Sequence, residues 1–76
     1  MSAIVLHRID AAKHMNRYYR LDVQPDLFGQ SCFVREWGRI GWPGQVRLTP
    51  YPTPAEAEAA LEKQRRAKVR RGYATS

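Results

Sequence analysis

Cysteine is almost absent: Cys32 stands alone among 76 residues. One thiol excludes an internal disulfide and any zinc site built on several cysteines, and it fits a reducing compartment. Histidine is nearly as scarce. His7 and His14 show neither His-x-His nor His-Glu-x-x-His spacing, so exposed histidines are a simpler reading than a metal centre. Long hydrophobic runs are also missing. The opening Ile4-Val5-Leu6 stretch stops at His7-Arg8, short of the roughly 7–15 apolar residues of a secretory leader. Nothing approaches the roughly 20 needed to cross a bilayer. The expectation is a soluble, cytoplasmic protein with no membrane partner.

Acid is in short supply as well. Thirteen Lys and Arg against seven Asp and Glu leave a net charge of +6, which points to an acidic partner, with nucleic acid the commonest. Catalytic patterns are wanting. Ser31 has no Gly-x-Ser-x-Gly context, and Cys32 reads as a small buried residue of a strand. Gly38-Arg39-Ile40-Gly41 is not followed by Gly-Lys-Ser/Thr, so it is no triphosphate loop. With no acid–base pair or ligand set, no enzyme, cofactor or small-molecule substrate is expected.

What is present suits one small domain: 43% hydrophobic and 26% charged residues are ordinary globular values. The residues from Ala3 to His7 read as a short strand, and those from Asp10 to Asn16 as a connection. From Arg17 to Gln24 the chain alternates, with Tyr19, Leu21 and Val23 on one face and Tyr18, Arg20 and Asp22 on the other. A turn from Pro25 to Gly29 leads to an antiparallel strand from Ser31 to Trp37. Gly38, Gly41, Pro43 and Gly44 then form the tip of a second hairpin, where two or three residues are expected at positive φ. Its return strand runs from Gln45 to Thr49, and Pro50-Tyr51-Pro52 ends it. Thr53-Pro54-Ala55-Glu56 is a capping box with proline at the first helical position. A helix of about fifteen good helix formers follows, stopped by Gly72. Its stripe of Ala57, Ala60, Leu61 and Gln64 suits close packing on a sheet. The fold class is α+β: a small twisted antiparallel sheet of four or five strands carrying one C-terminal helix.

Two features bear on partners. Lys63, Arg65, Arg66, Lys68, Arg70 and Arg71 lie in one run without an acid between them. They either collect phosphates or form a solvated face that complements the helix dipole. Arg35, Trp37 and Arg39 alternate, so they share a face while the strand persists. An aromatic ring between two guanidinium groups can stack on a base or sugar while the cations hold phosphate; equally, Trp37 can be a core residue that the arginines merely flank.

At Trp37-Gly38-Arg39 the sequence resembles the WGR domain family. Asn16-Arg17-Tyr18-Tyr19-Arg20-Leu21 is similar to the family's Asn-x-Tyr/Phe-Tyr opening strand. Gly41, Gly44 and Gln45 extend the signature, and Lys68-Val69-Arg70-Arg71-Gly72-Tyr73 is like its closing Lys-x-x-x-Gly-Tyr. The resemblance spans about residues 12–74 of an expected single domain over residues 1–76, with the strand at residues 3–7 added to its sheet. It implies a twisted antiparallel sheet with a packed helix. In DNA-damage-dependent poly(ADP-ribose) polymerases such a domain sits at a broken DNA end, its tryptophan stacked on the terminal sugar and its arginine near DNA and neighbouring domains. Those roles would fall on Trp37 and Arg39, and the asparagine at the DNA surface would be Asn16. The Gly-Gln and Arg-Arg-Gly-Tyr elements resemble bacterial-type versions, which occur alone or beside other domains. No transferase, zinc-finger or helical regulatory segment accompanies the motif, so ADP-ribosyl transfer is not expected. Trp42-Pro43 has no counterpart that carries a role.

The combined expectation is a non-enzymatic module that binds nucleic acid, in particular DNA ends or nicks, through Trp37, Arg39, Asn16 and Arg35, with Lys68, Arg70 and Arg71 on the flanking backbone. The alternative is a protein-interaction module that docks a separately encoded partner on the same Trp/Arg surface.

Overall fold

The computed structural model describes residues 3–75; Met1, Ser2 and Ser76, the outermost residues of the expected domain, lie outside it. Strand β1 (Ile4–Asp10) leads through a 3-10 turn (Ala11–Lys13) into β2 (Met15–Pro25). Strands β3 (Ser31–Arg39) and β4 (Gln45–Tyr51) follow, then helix α1 (Pro54–Arg70) and a short β5 (Ala74–Thr75). The five strands form one antiparallel sheet in the order β4-β3-β2-β1-β5.

Both ends of the first hairpin differ from the sequence expectation. β1 runs to Asp10 rather than His7, and β2 begins at Met15, so only Ala11 to His14 connect them. Pairing carries the ladder through weak strand formers to Ile9↔Asn16 and Asp10↔Met15. The Asp10 carboxylate accepts from the Ala12 N–H at 3.1 Å, and His14 closes the turn in the left-handed region at φ 52°. Such local bonding is how Asp shapes a tight reversal. At the second hairpin the expected two or three positive φ values reduce to one, Gly41 at 87°. Gly38 and Gly44 serve instead for close approach. A Cβ on Gly44 would lie 2.5 Å from the Trp37 carbonyl oxygen, and one on Gly38 would lie 2.9 Å from the Gly44 Cα. Pro50 does not end its strand; β4 continues to Tyr51, which an edge strand tolerates because its outer N–H groups need no partner.

The helix follows its signals. The Thr53 hydroxyl accepts from the Glu56 N–H at 3.3 Å, and Ala57 and Leu61 are buried on the sheet. Gly72, at φ 96°, lets Gly72 N–H donate to the Val69 carbonyl and Tyr73 N–H to the Lys68 carbonyl, at 3.0 and 3.1 Å. This Schellman geometry reverses the chain. Tyr73 returns to the core and β5 pairs with β1 at His7↔Ala74 and Leu6↔Thr75, a strand too short to read from sequence.

The core is Leu6, Tyr19, Leu21, Phe33 and Leu61, all between sheet and helix. The opposite face is not simply solvated. Asp22, expected outside, is only 4% exposed: Arg20 donates to it at 3.3 Å, Gln24 at 2.9 Å and the Val23 N–H at 2.8 Å. Buried carboxylates persist where such donors surround them. Cys32, also on that face, is half-buried and free rather than wholly inside.

Candidate nucleic-acid interface

Strand register arranges the helix-side residues in rows across the sheet. One row is Arg8, Arg17 and Arg39, direct neighbours on β1, β2 and β3. The next is Leu6, Tyr19, Trp37 and Gln45, and the next Ile4, Leu21, Arg35 and Arg47. The aromatic row is thus bordered on both sides by arginines. Like charges directly opposite one another on a sheet oppose folding, so this pattern costs stability and calls for a reason.

Trp37 stands between the two readings of it. It is half-buried, with its ring stacked on Tyr19 at 5.7 Å between centroids and 12° between planes. It packs against the core and also lines a depression of about 400 Å³. Arg17, Arg39, Lys68 and Tyr73 share that depression. Tyr73 meets Tyr19 edge-on at 6.2 Å. The Lys68 ammonium lies 4.4 Å from the Tyr19 ring centre and 5.7 Å from that of Tyr73. Burial, with Arg71 and Arg35 adding repulsion, pulls the Lys68 pKa below that of an ordinary lysine. Gln64 donates to the Tyr19 hydroxyl at 3.4 Å.

Asn16 lines a neighbouring hollow of about 230 Å³ that it shares with Lys13, Arg17 and Arg39; its carbonyl accepts from the Ile40 N–H at 2.9 Å. Neither hollow has a carboxylate in its lining. Glu36, the acid inside the motif strand, lies on the other face, where the Tyr18 hydroxyl donates to it at 2.8 Å. That bond also raises the Tyr18 pKa.

The remaining candidates are dispersed. Arg35 shares the pleat of Trp37, but its guanidinium lies over Phe33 at 5.7 Å, beneath α1. Arg70 belongs to the helix face turned away from the sheet, beside Lys63 and Arg66, and Arg71 is exposed at the helix end. Two of the six helical cations are engaged by an acid one turn earlier. Glu62 accepts from Arg65 Nε at 2.9 Å and from Arg66 Nε at 3.3 Å, and the hydrogen bonding from Arg65 holds its carboxyl down at about 2. Sequence reasoning missed Arg8, Arg17 and Tyr73. The first two follow once the hairpin registers are set, since Arg39 must then face Arg17, and Arg17 must face Arg8. Trp42 is 65% exposed at the second hairpin tip.

The model of the WGR domain matches residues 2–76. The chain belongs to the WGR domain family. Trp37-Gly38-Arg39 is therefore the WGR motif of this protein, and its tryptophan and arginine occupy the aromatic row and the arginine row respectively. Domains of this family are in general nucleic-acid-binding modules and typically not catalytic on their own. The chain is also similar to an uncharacterized protein, y4dW, of Sinorhizobium fredii (strain NBRC 101917 / NGR234), at 36% identity over 70 residues. Those residues are 92% of this chain and 34% of that protein, so the chain spans about a third of its relative's length. No solved structure matches. Among the described residues no group of His, Cys, Asp and Glu is placed to hold a metal ion, and no helix is long and apolar enough to cross a membrane.

Proposed function

We propose that this WGR domain binds nucleic acid without catalysis and recognises the ends or nicks of duplex DNA. The observation that carries the reading is the half-buried Trp37 ring set on Tyr19 beside the Arg8–Arg17–Arg39 row, in a depression whose lining has no carboxylate. Tyr19 supports one face of the tryptophan. Its other face takes the terminal sugar or base, a contact that an internal, stacked base pair cannot offer. Arg39 and Arg17 bind the adjacent phosphate, which relieves their mutual repulsion, and Asn16 hydrogen-bonds at the same edge. Lys68 supports the pocket from the helix, Arg35 lies farther along β3, and Arg70 and Arg71, on the outer face and at the end of the helix, would meet only backbone that runs on past the helix. Among the described residues no helix is placed to read a major groove, so recognition is of shape and phosphate, not of base sequence. A cytoplasmic location is consistent with this role.

The test is fluorescence anisotropy with two labelled duplexes of equal length, one with an open 5′-phosphorylated end and one closed by hairpin loops, at low and moderate salt. The open duplex is expected to bind more tightly at both, and Trp37→Ala to abolish the preference while retaining weak binding of about 10⁻⁴–10⁻⁶ M typical of non-specific contacts. Equal binding that vanishes with salt would reduce the site to a basic surface. Absence of binding at low salt would favour the second reading, a protein partner, which the exposed Trp42 supports as an interface anchor.

A further inference from the structure

The seam between α1 and the edge strand β4 forms a groove of about 430 Å³, of whose lining the reading above uses only Arg35. Arg35, Arg47 and Lys63 line it, together with Phe33, Tyr51 and Gln64, and no carboxylate does. Three separate observations single it out. Arg35 and Arg47 face each other directly across β3 and β4, a like-charge pair that opposes folding. Among the described residues no ion pair joins Arg35, Arg47 or Lys63 to an acid, and the nearby Glu62 is occupied by Arg65 and Arg66. The Arg35 Nε is buried and has no hydrogen-bond partner, although a buried guanidinium N–H left unpaired is costly.

One anion removes all three penalties. It separates the opposed guanidinium groups electrostatically, gives Lys63 a counter-charge and accepts from the Arg35 Nε. Phosphate suits the site better than a lone carboxylate, because it presents several acceptor oxygens to cations arriving from both strand and helix, and a guanidinium binds it bidentately. Location favours a chain of phosphates. Arg35 is two residues from Trp37 on the same pleat, about 7 Å along the strand, so the groove lies within reach of a strand that leaves Trp37 along β3. We propose that the α1–β4 groove is a second phosphate-binding site, which holds the backbone of the nucleic-acid strand beyond the nucleotide stacked on Trp37. The assignment of the strand rests on the end-binding reading; the anion site itself does not.

The test uses the full chain and the double variant Arg47→Gln/Lys63→Gln, neither residue of which lines the Trp37 depression. Inorganic phosphate, and separately the open duplex, are titrated while the Arg35 Nε–H resonance is followed by NMR. Binding of both duplexes is measured across a salt series. Both ligands are expected to move the Arg35 signal in the parent, and phosphate to leave it nearly still in the variant. The variant's slope of log affinity against log salt is expected to fall by about 1–2, at about 0.9 for each phosphate that is no longer neutralised, with the open-to-closed preference unchanged. An Arg35 signal indifferent to phosphate, or an unchanged salt slope, overturns the site. A response to phosphate but not to bound duplex overturns the strand assignment. Loss of the open-end preference in the parent itself, with the phosphate response intact, overturns the end-binding reading and not the anion site.

Discussion

The two ends of the β2–β3 hairpin, joined by one continuous ladder from Arg17↔Arg39 to Pro25↔Ser31, are built on opposite terms. The turn end is self-contained. Its single charged side chain, Asp26, accepts from the Phe28 and Gln30 N–H groups, both at 2.8 Å, and Leu27 and Phe28 stand 98% and 88% exposed. Nothing from the rest of the molecule is needed to hold it. The motif end has no such economy. Its arginines face one another, its tryptophan depends on Tyr19, and Tyr19 depends on Gln64, Lys68 and Tyr73 arriving from the helix and its C-terminal reversal. A turn that needs only local bonds can be made anywhere. An end that accumulates unfavourable charge and draws on two distant segments is where the proposed ligand would return the difference.

The contrast is most sharply tested by paired glycine substitutions. Gly44→Ala places a methyl group against the Trp37 carbonyl and is expected to destabilise the fold by about 3 kcal/mol, as overpacking of backbone does. Gly29→Ala at the turn end meets no atom within 4 Å and suffers only from its φ of 78°, about 1 kcal/mol. Urea unfolding of both variants decides the point, and equal losses would mean that the motif end is not tightly closed. Next in size are the aromatic truncations. Trp37→Ala gives up its stacking and half of a core side chain, about 2–3 kcal/mol, whereas Phe28→Ala should stay within about 0.5 kcal/mol.

Charge removal acts in the opposite direction. Arg17→Gln relieves the arginine row, so a gain of about 0.5 kcal/mol in stability is expected together with weaker binding of the open duplex. A variant that lost both would show that the row is structural. Smallest is the acid response of the helix. The Glu62 carboxyl is held at about 2, below its ordinary value of 4.5. A depressed folded-state value means that its pairing stabilises the protein fully above about 4.5, and that this contribution fades as pH falls toward 2. Carboxyl NMR should place the midpoint there, and Glu62→Gln should flatten the melting temperature over that window. An ordinary midpoint would mean that Arg65 and Arg66 are unpaired and available to a polyanion.

Much of this was legible from residues alone because the signals were local. The Thr53-Pro54-Ala55-Glu56 cap, the alternation of Tyr19, Leu21 and Val23, and Gly72 each act on a few neighbouring residues, so helix and central hairpin emerged nearly as observed. The errors fell where pairing with a distant segment overrode local preference. β1 outran its strand formers because β2 offered a matching edge. Asp22 was buried by the side chains of Arg20 and Gln24, not by the helix. Gly38 and Gly44 were read as conformational necessities, whereas what they provide is space between two strands.

The candidate site divides in the same way. The order of residues along the chain was enough to set the type of protein, the WGR motif and the basic character of the chain, because composition and short motifs are properties of the chain itself. Which cations act together is a property of register and packing. Arg8 reaches Arg39 only through two ladders, Lys68 reaches Tyr19 only through the helix that Gly72 ends, and Arg35 and Arg47 oppose each other only because β3 pairs with β4 at that spacing. Coulombic and stacking interactions depend on distance in space, and for residues so far apart in the chain that distance does not exist until the sheet has closed.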